Sequence, residues 1–207
     1  MERWLALELA STIRHDGDGG VADDLTTTDG TDVWIRAQAE ILAGQVDVGA
    51  ITADERLRGE IVELRRAVRA LFAWTVRPAP PSRADAHHLM PIDLALAHLN
   101  AVAAREPVVP QLEWPAGDSP TARLLSAESD PEVRLVAALA RAAIDFLTGP
   151  HRERLRSCTA PRCVRYFVQS HGRQGWCKPS CGNRARAARH YRRQTDRATE
   201  AERTASE

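Results

Sequence analysis

The chain has 207 residues, enough for one large domain or a medium domain with a small module. With 43% hydrophobic and 27% charged residues at a formal net charge of zero, it lacks the low-hydrophobicity, high-net-charge profile that excludes a core. Zero net charge conceals a division: residues 151–207 carry 14 basic and 5 acidic side chains, a formal +9, which leaves 14 basic and 23 acidic ones, a formal −9, in residues 1–150. Such asymmetry suits a nucleic-acid-binding segment on an acidic body, and a solvated basic helix is the plainer alternative. Recurrent alanine and a single lysine, Lys178, among 27 arginines favour an alanine-rich helical protein from a high-GC genome. Met1-Glu2-Arg3-Trp4 followed by Glu8 is not a signal-peptide start, and no stretch approaches membrane-spanning length, so the expectation is a cytoplasmic protein with no membrane partner.

In chain order, short helices are predicted around Leu5, Leu9 and Ile13 and over residues 33–42, separated by a polar, glycine-rich loop at residues 15–20. Leu57, Ile61, Leu64, Val68, Leu71 and Thr75 then recur at steps of four and three, the period of one buried helical face, with Thr52 and Glu55 as a capping box. Arg77-Pro78-Ala79-Pro80-Pro81 ends that helix. Leu89, Ile92, Leu96, Leu99 and Ala103 repeat the spacing to about Arg105. Residues 107–126 change character: Val108-Val109 and Gln111-Leu112-Glu113-Trp114 are extended, and Pro115-Ala116-Gly117-Asp118 turns the chain, which predicts a β-hairpin laid against the helices. A long helix follows from Ser129 with Asp130, Pro131 and Glu132 in its first turn, and with Val133, Val136, Ala140, Ala143, Ile144 and Leu147 as its buried stripe. Gly149-Pro150 closes this body, and its core is expected to be separate from that of the residues beyond. His87, His88, His98 and Trp34 are candidates to line a ligand pocket, though such residues on helices are commonly packing or surface groups.

All four cysteines lie beyond that boundary, as Cys158-x4-Cys163, thirteen intervening residues, and Cys177-x3-Cys181. Two close pairs joined by a loop suit a tetrahedral ion, since each pair spans two vertices, and four thiolates saturate Zn²⁺. A thiol–disulfide switch, metal-free buried cysteines and His171 as a substitute ligand are the competing readings. Between Glu153 and Asp196 there is no acidic residue, so an enzymatic zinc site lacks its proton-transfer group and no catalytic residue is assigned. Tyr166, Phe167, Val168 and Trp176 are the module's available core, and zinc is expected to supply most of its folding energy. Arg162, Arg165, Arg173 and Lys178 offset the two negative charges of a tetrathiolate zinc site. After Gly182 and Asn183 the chain enters a strong helix former in which Arg186, Arg189, His190 and Arg193 make one basic face.

The string Trp176-Cys177-Lys178-Pro179-Ser180-Cys181-Gly182-Asn183-Arg184, preceded by Cys158-x4-Cys163 and Tyr166-Phe167, resembles the CGNR zinc-finger family of bacterial proteins. In that family the finger follows an alanine-rich helical ABATE domain, of which Gly20-Val21-Ala22-Asp23-Asp24-Leu25 carries a looser likeness. The resemblance implies a stress-induced transcription regulator whose N-terminal domain senses a ligand, with one structural Zn²⁺ on Cys158, Cys163, Cys177 and Cys181. The resulting expectation is a mainly α protein: a helical N-terminal domain with a small β-hairpin over 1–150, a zinc finger ending in a basic helix over 151–193, and a frayed tail over 194–207. Its partners are expected to be double-stranded DNA, contacted by Arg184, Arg186, Arg189, Arg192 and Arg193, a small-molecule ligand at the N-terminal domain, and a second copy in a homodimer. The alternative is a zinc-stapled interaction module that binds RNA or an acidic protein surface.

Overall fold

The computed structural model describes residues 3–17, 20–85 and 88–205, with side chains through Thr195. Its mainly helical architecture with small antiparallel hairpins is the one expected. The elements run α1 (Leu5–Ala10), β1 (Ile13–His15), β2 (Val21–Asp23), α2 (Thr28–Arg36), α3 (Ala39–Leu42), α4 (Glu55–Thr75), α5 (Ile92–Ala103), β3 (Val108–Glu113), β4 (Thr121–Ser126), α6 (Pro131–Thr148), β5 (Leu155–Ser157), β6 (Tyr166–Val168) and α7 (Pro179–Ala205).

The core forms around α4 and α6. Leu57, Ile61, Leu64, Val68 and Leu71 of α4 are buried as their period requires. The helix starts on Asp54, whose carboxylate accepts the Leu57 N–H at 2.7 Å, rather than on a Thr52–Glu55 box. Asp54 has the extended backbone of an N-cap and stands directly before the first helical residue, which leaves Thr52 outside reach. In α6 Asp130 caps the N–H groups of Glu132 and Val133, with Pro131 in the first turn. The stripe expected there is too narrow, because α1, α4 and α5 all pack on this helix and bury every side chain from Leu135 through Ala140. Leu135, Leu139 and Phe146 are core residues, whereas Val133, Ile144 and Leu147 are half-buried. The buried face of α5 is likewise rotated: Ala95, Leu99 and Val102 point inward and Leu96 outward, since close packing on α4 selects the small alanine.

Two further differences concern strands. Ile13 lies in β1, not α1, and β1 and β2 form an antiparallel hairpin pairing Ile13 with Asp23 and His15 with Val21. Arg65, buried within the α4 stripe, fastens this hairpin through Thr12 Oγ1 at 2.9 Å and the Asp23 carboxylate at 2.5 and 2.7 Å. The β3–β4 hairpin is present in the register Val108↔Ser126 to Glu113↔Thr121; Val108 and Leu124 at its base border α6, but its outer part stands clear of the helices, with Leu112 71% and Trp114 68% exposed.

The finger has a small cluster of its own in Cys158, Ala160, Cys163, Phe167 and Cys181, but part of the finger shares the core of the body. Leu155 and Tyr166 of the β5–β6 hairpin belong to the same hydrophobic cluster as α4 and α6, and the Tyr166 ring meets Phe72 edge-on at 5.6 Å. Short strands carry too little apolar surface to bury themselves, and the α4 end of the body offers the nearest uncovered face.

Candidate metal centre and basic helix

The four cysteines meet at one point. The first pair is brought round by a turn over Ala160, Pro161, Arg162 and Cys163, closed by the Cys163 N–H on the Ala160 carbonyl at 3.0 Å. Arg162 occupies the left-handed region at φ 64°, as the third residue of a proline-led turn of type II demands. Cys177 follows the loop after β6, and Cys181 stands in the first turn of α7, whose early N–H groups from Cys181 and Gly182 turn back on the Lys178 carbonyl. Trp176 packs beside the cluster against Gly182, where an added Cβ would lie 3.2 Å from the indole.

All four sulfurs lie within 4.8 Å of one another, with Cys163–Cys177 at 3.7 Å and Cys177–Cys181 at 3.5 Å. Ligand bonds of about 2.3 Å in a tetrahedron set sulfurs about 3.8 Å apart, so the geometry fits one Zn²⁺. The protons report the same crowding. Thiols of Cys158 and Cys177 donate to Cys163 and hold it as a thiolate, down to about 2; Cys158, donating to it, is pushed up to about 11, and Cys177 is pushed up by Cys158 and Cys163. A divalent cation relieves this by replacing the protons. Backbone N–H groups of Cys177 and Ala160 support Cys158 and that of Arg165 supports Cys163, while Arg184 Nη2 donates to Cys181 Sγ at 3.1 Å. Four sulfur ligands leave zinc no position for water, the arrangement of a structural site. His171 lies exposed in the loop and is not among the four clustered groups.

The cluster is docked on the body through a buried polar network that sequence reasoning missed. Arg69, 2% exposed, pairs with Asp85 at 2.8 and 3.0 Å and donates to the Val164 carbonyl at 3.2 Å, next to the ligand-bearing Cys163. Ser82 Oγ donates to the same carbonyl at 2.8 Å, and Tyr166 Oη donates to Asp85 at 2.7 Å while accepting the Ser82 N–H. Burial, then the Asp85 charge, pushes the Tyr166 phenol up, so it remains a donor. An arginine within a helical apolar stripe is the signal that existed: Arg65 and Arg69, four apart on α4, mark its two polar anchor points.

The five arginines named on the C-terminal helix divide. Arg186, Arg189, Arg192 and Arg193 are exposed, and from Arg189 to Thr195 every residue is exposed. Arg184 is half-buried on the cluster. At 3.6 residues per turn Arg186, Arg189 and Arg193 fall within roughly 60° of one another and about opposite Arg184. Arg189 lies over the Trp176 ring at 6.0 Å. The helix continues through Ala205, past the point at 193 where the sequence reading ended it. Of the pocket candidates, Trp34 is a core residue, His88 is exposed, His98 borders a shallow groove with Met90 and Leu94, and His87 lies outside the described residues.

A helical body, a four-cysteine metal knuckle and a projecting basic helix together define a zinc-finger protein of the regulator type. Residues 4–150 match the family model ABATE, described as "Putative stress-induced transcription regulator", and residues 154–194 match the CGNR zinc finger. The first match spans well over half of the chain, which therefore belongs to this family of ABATE proteins carrying a CGNR finger. No curated protein matches it. Among the described residues no helix is long and apolar enough to cross a membrane.

Proposed function

We propose that the chain is a DNA-binding transcription regulator of the cytoplasm, in which zinc on Cys158, Cys163, Cys177 and Cys181 folds the finger and α7 contacts duplex phosphates. The observation that carries this reading is the exposed arginine face of Arg186, Arg189 and Arg193, with Arg192 beside it, on a helix anchored at the metal site and free of the body beyond it. Phosphates reward such a local excess of charge, and early helix positions are the ones able to reach base edges. Arg184 serves from the other side, holding Cys181, so the helix leaves the cluster at a fixed angle. The body senses a stress-linked small molecule and forms the homodimer. In-vitro selection of duplexes with zinc-loaded full chain tests this: enrichment of a duplex motif over single strands is expected. Equal binding of single-stranded RNA or of acidic protein, with no duplex enriched, overturns it in favour of an interaction module.

A further inference from the structure

The turn of the β1–β2 hairpin and the metal knuckle face each other across a cleft of about 310 Å³, lined by Arg14, His15, Asp16, Arg165, Lys178 and Arg184 together with Gly17 and Cys163. Its walls hold an excess of donors. His15 Nδ1 accepts the Gly17 N–H at 2.6 Å, which puts the proton of the neutral ring on Nε2, and that Nε2 is buried without a partner. Arg184 spends one Nη on Cys181, and its Nε–H is also buried and unpartnered. Buried donors without acceptors are rare in folded proteins, and here two occur in the lining of one cleft. Among the described residues neither Arg165 nor Lys178 pairs with a carboxylate, whereas Arg14 is held by Asp24 at 2.7 Å. The acid in the lining, Asp16, accepts the Gly20 N–H at 2.9 Å and lies 3.7 Å from His15 Nδ1, on the side of the ring away from the unpartnered Nε2. The two negative charges of a tetrathiolate zinc site do not neutralise the wall, because residues 154–195 contain 11 basic side chains and no acidic one.

We propose that this cleft binds one oxyanion group, a phosphate or carboxylate, held between His15 on the body and Arg165, Lys178 and Arg184 on the finger. The cleft is at the small end of ligand sites, so it takes the anionic head and little more of its carrier. The bound group joins the body to the first turn of α7, and its presence is thereby linked to the placement of the DNA-contacting helix. It extends the ligand-sensing part of the proposed function, but the binding itself is measured without DNA.

Titration calorimetry of the zinc-loaded full chain with inorganic phosphate at fixed ionic strength, chloride replacing phosphate in the control, tests it. One saturable phosphate per chain is expected. Lys178→Ala, at an exposed position, and His15→Ala each weaken it at least about tenfold with zinc content and melting temperature retained, while Arg193→Ala leaves it unchanged. A free anion and a DNA backbone phosphate share this chemistry: if phosphate alone does not saturate but Lys178→Ala and His15→Ala both reduce duplex affinity, the oxyanion comes from DNA. The proposal is overturned if neither phosphate nor duplex binding responds to these two variants, or if Arg193→Ala lowers phosphate binding as much as they do.

Discussion

Helices α4 and α7 are held by opposite means. Eleven residues of α4 are buried, and its helicity follows from the apolar face that the body covers. Helix α7 is longer, 27 residues against 21, yet every residue from Arg189 to Thr195 is exposed. Alanine and arginine are strong helix formers, and Pro179 suits a first turn, so local propensity favours the helix. Arginines near a helix N-terminus oppose its dipole, and with zinc bound the sulfurs of Cys177 and Cys181 at that end would carry negative charge that compensates for them. The lesson is that α4 is held by the fold around it, while α7 is an arm which the metal site starts and local propensity carries on.

The largest effect that separates the two comes from removing zinc. Cys177→Ser is expected to lose the metal and unfold residues 155–190, because structural zinc supplies on the order of 10 kcal/mol of folding energy in such modules. The body should melt earlier as well, since Leu155 and Tyr166 leave its core. Metal analysis with hydrogen exchange checks this: retained protection in α7 without zinc breaks the comparison. Leu64→Ala in α4 is expected to cost about 2–5 kcal/mol in denaturant melts, while Tyr191→Ala, 71% exposed on α7, should stay within about 0.5 kcal/mol. Tyr166→Phe should cost about 1–3 kcal/mol, because Asp85 and the Ser82 N–H lose a buried partner. The smallest effect is one of pH. Burial is the largest single influence on the Asp23 carboxyl and raises it, but the Arg65 hydrogen bond, the Leu25 N–H and the charges of Arg65 and Arg58 together outweigh it and set it below its ordinary 3.8. Its contribution is present above that ordinary value and is lost as pH falls through the lowered one. Acid melts of Asp23→Asn should therefore lack part of the wild-type loss of stability below about pH 4.

Where a structural cause is local, the sequence is legible. The start of α6 follows from Asp130 beside its first turn, whereas at α4 the cap is Asp54, two residues on from the Thr52 that the sequence suggests, and the metal cluster follows from cysteine spacing, because segments of six and five residues keep the two thiols of each pair close. Where the cause is tertiary, it is not. Three-residue strands show no alternation, so the β1–β2 hairpin reads as a loop. Ala95 is preferred to Leu96 on the inner face of α5 only because of what packs there. Arg65 and Arg69 interrupt the apolar face of α4, but nothing local names the carboxylates, Asp23 and Asp85, against which each is buried. Arg184 reads like its neighbours on α7, and only its bond to Cys181 turns it inward.

The account stands most directly on a salt series of duplex titrations with the zinc-loaded chain. If Arg186, Arg189, Arg192 and Arg193 each neutralise a phosphate, four contacts at about 0.9 each give log affinity against log salt a slope near −3.6. Arg189→Ala should lower its magnitude by about one unit if it meets phosphate, or relax sequence preference with a smaller change if it reads a base edge. Affinity and slope indistinguishable between wild type and Arg189→Ala, with the same result for Arg186→Ala and Arg193→Ala, would contradict the claim that α7 is the DNA-binding arm.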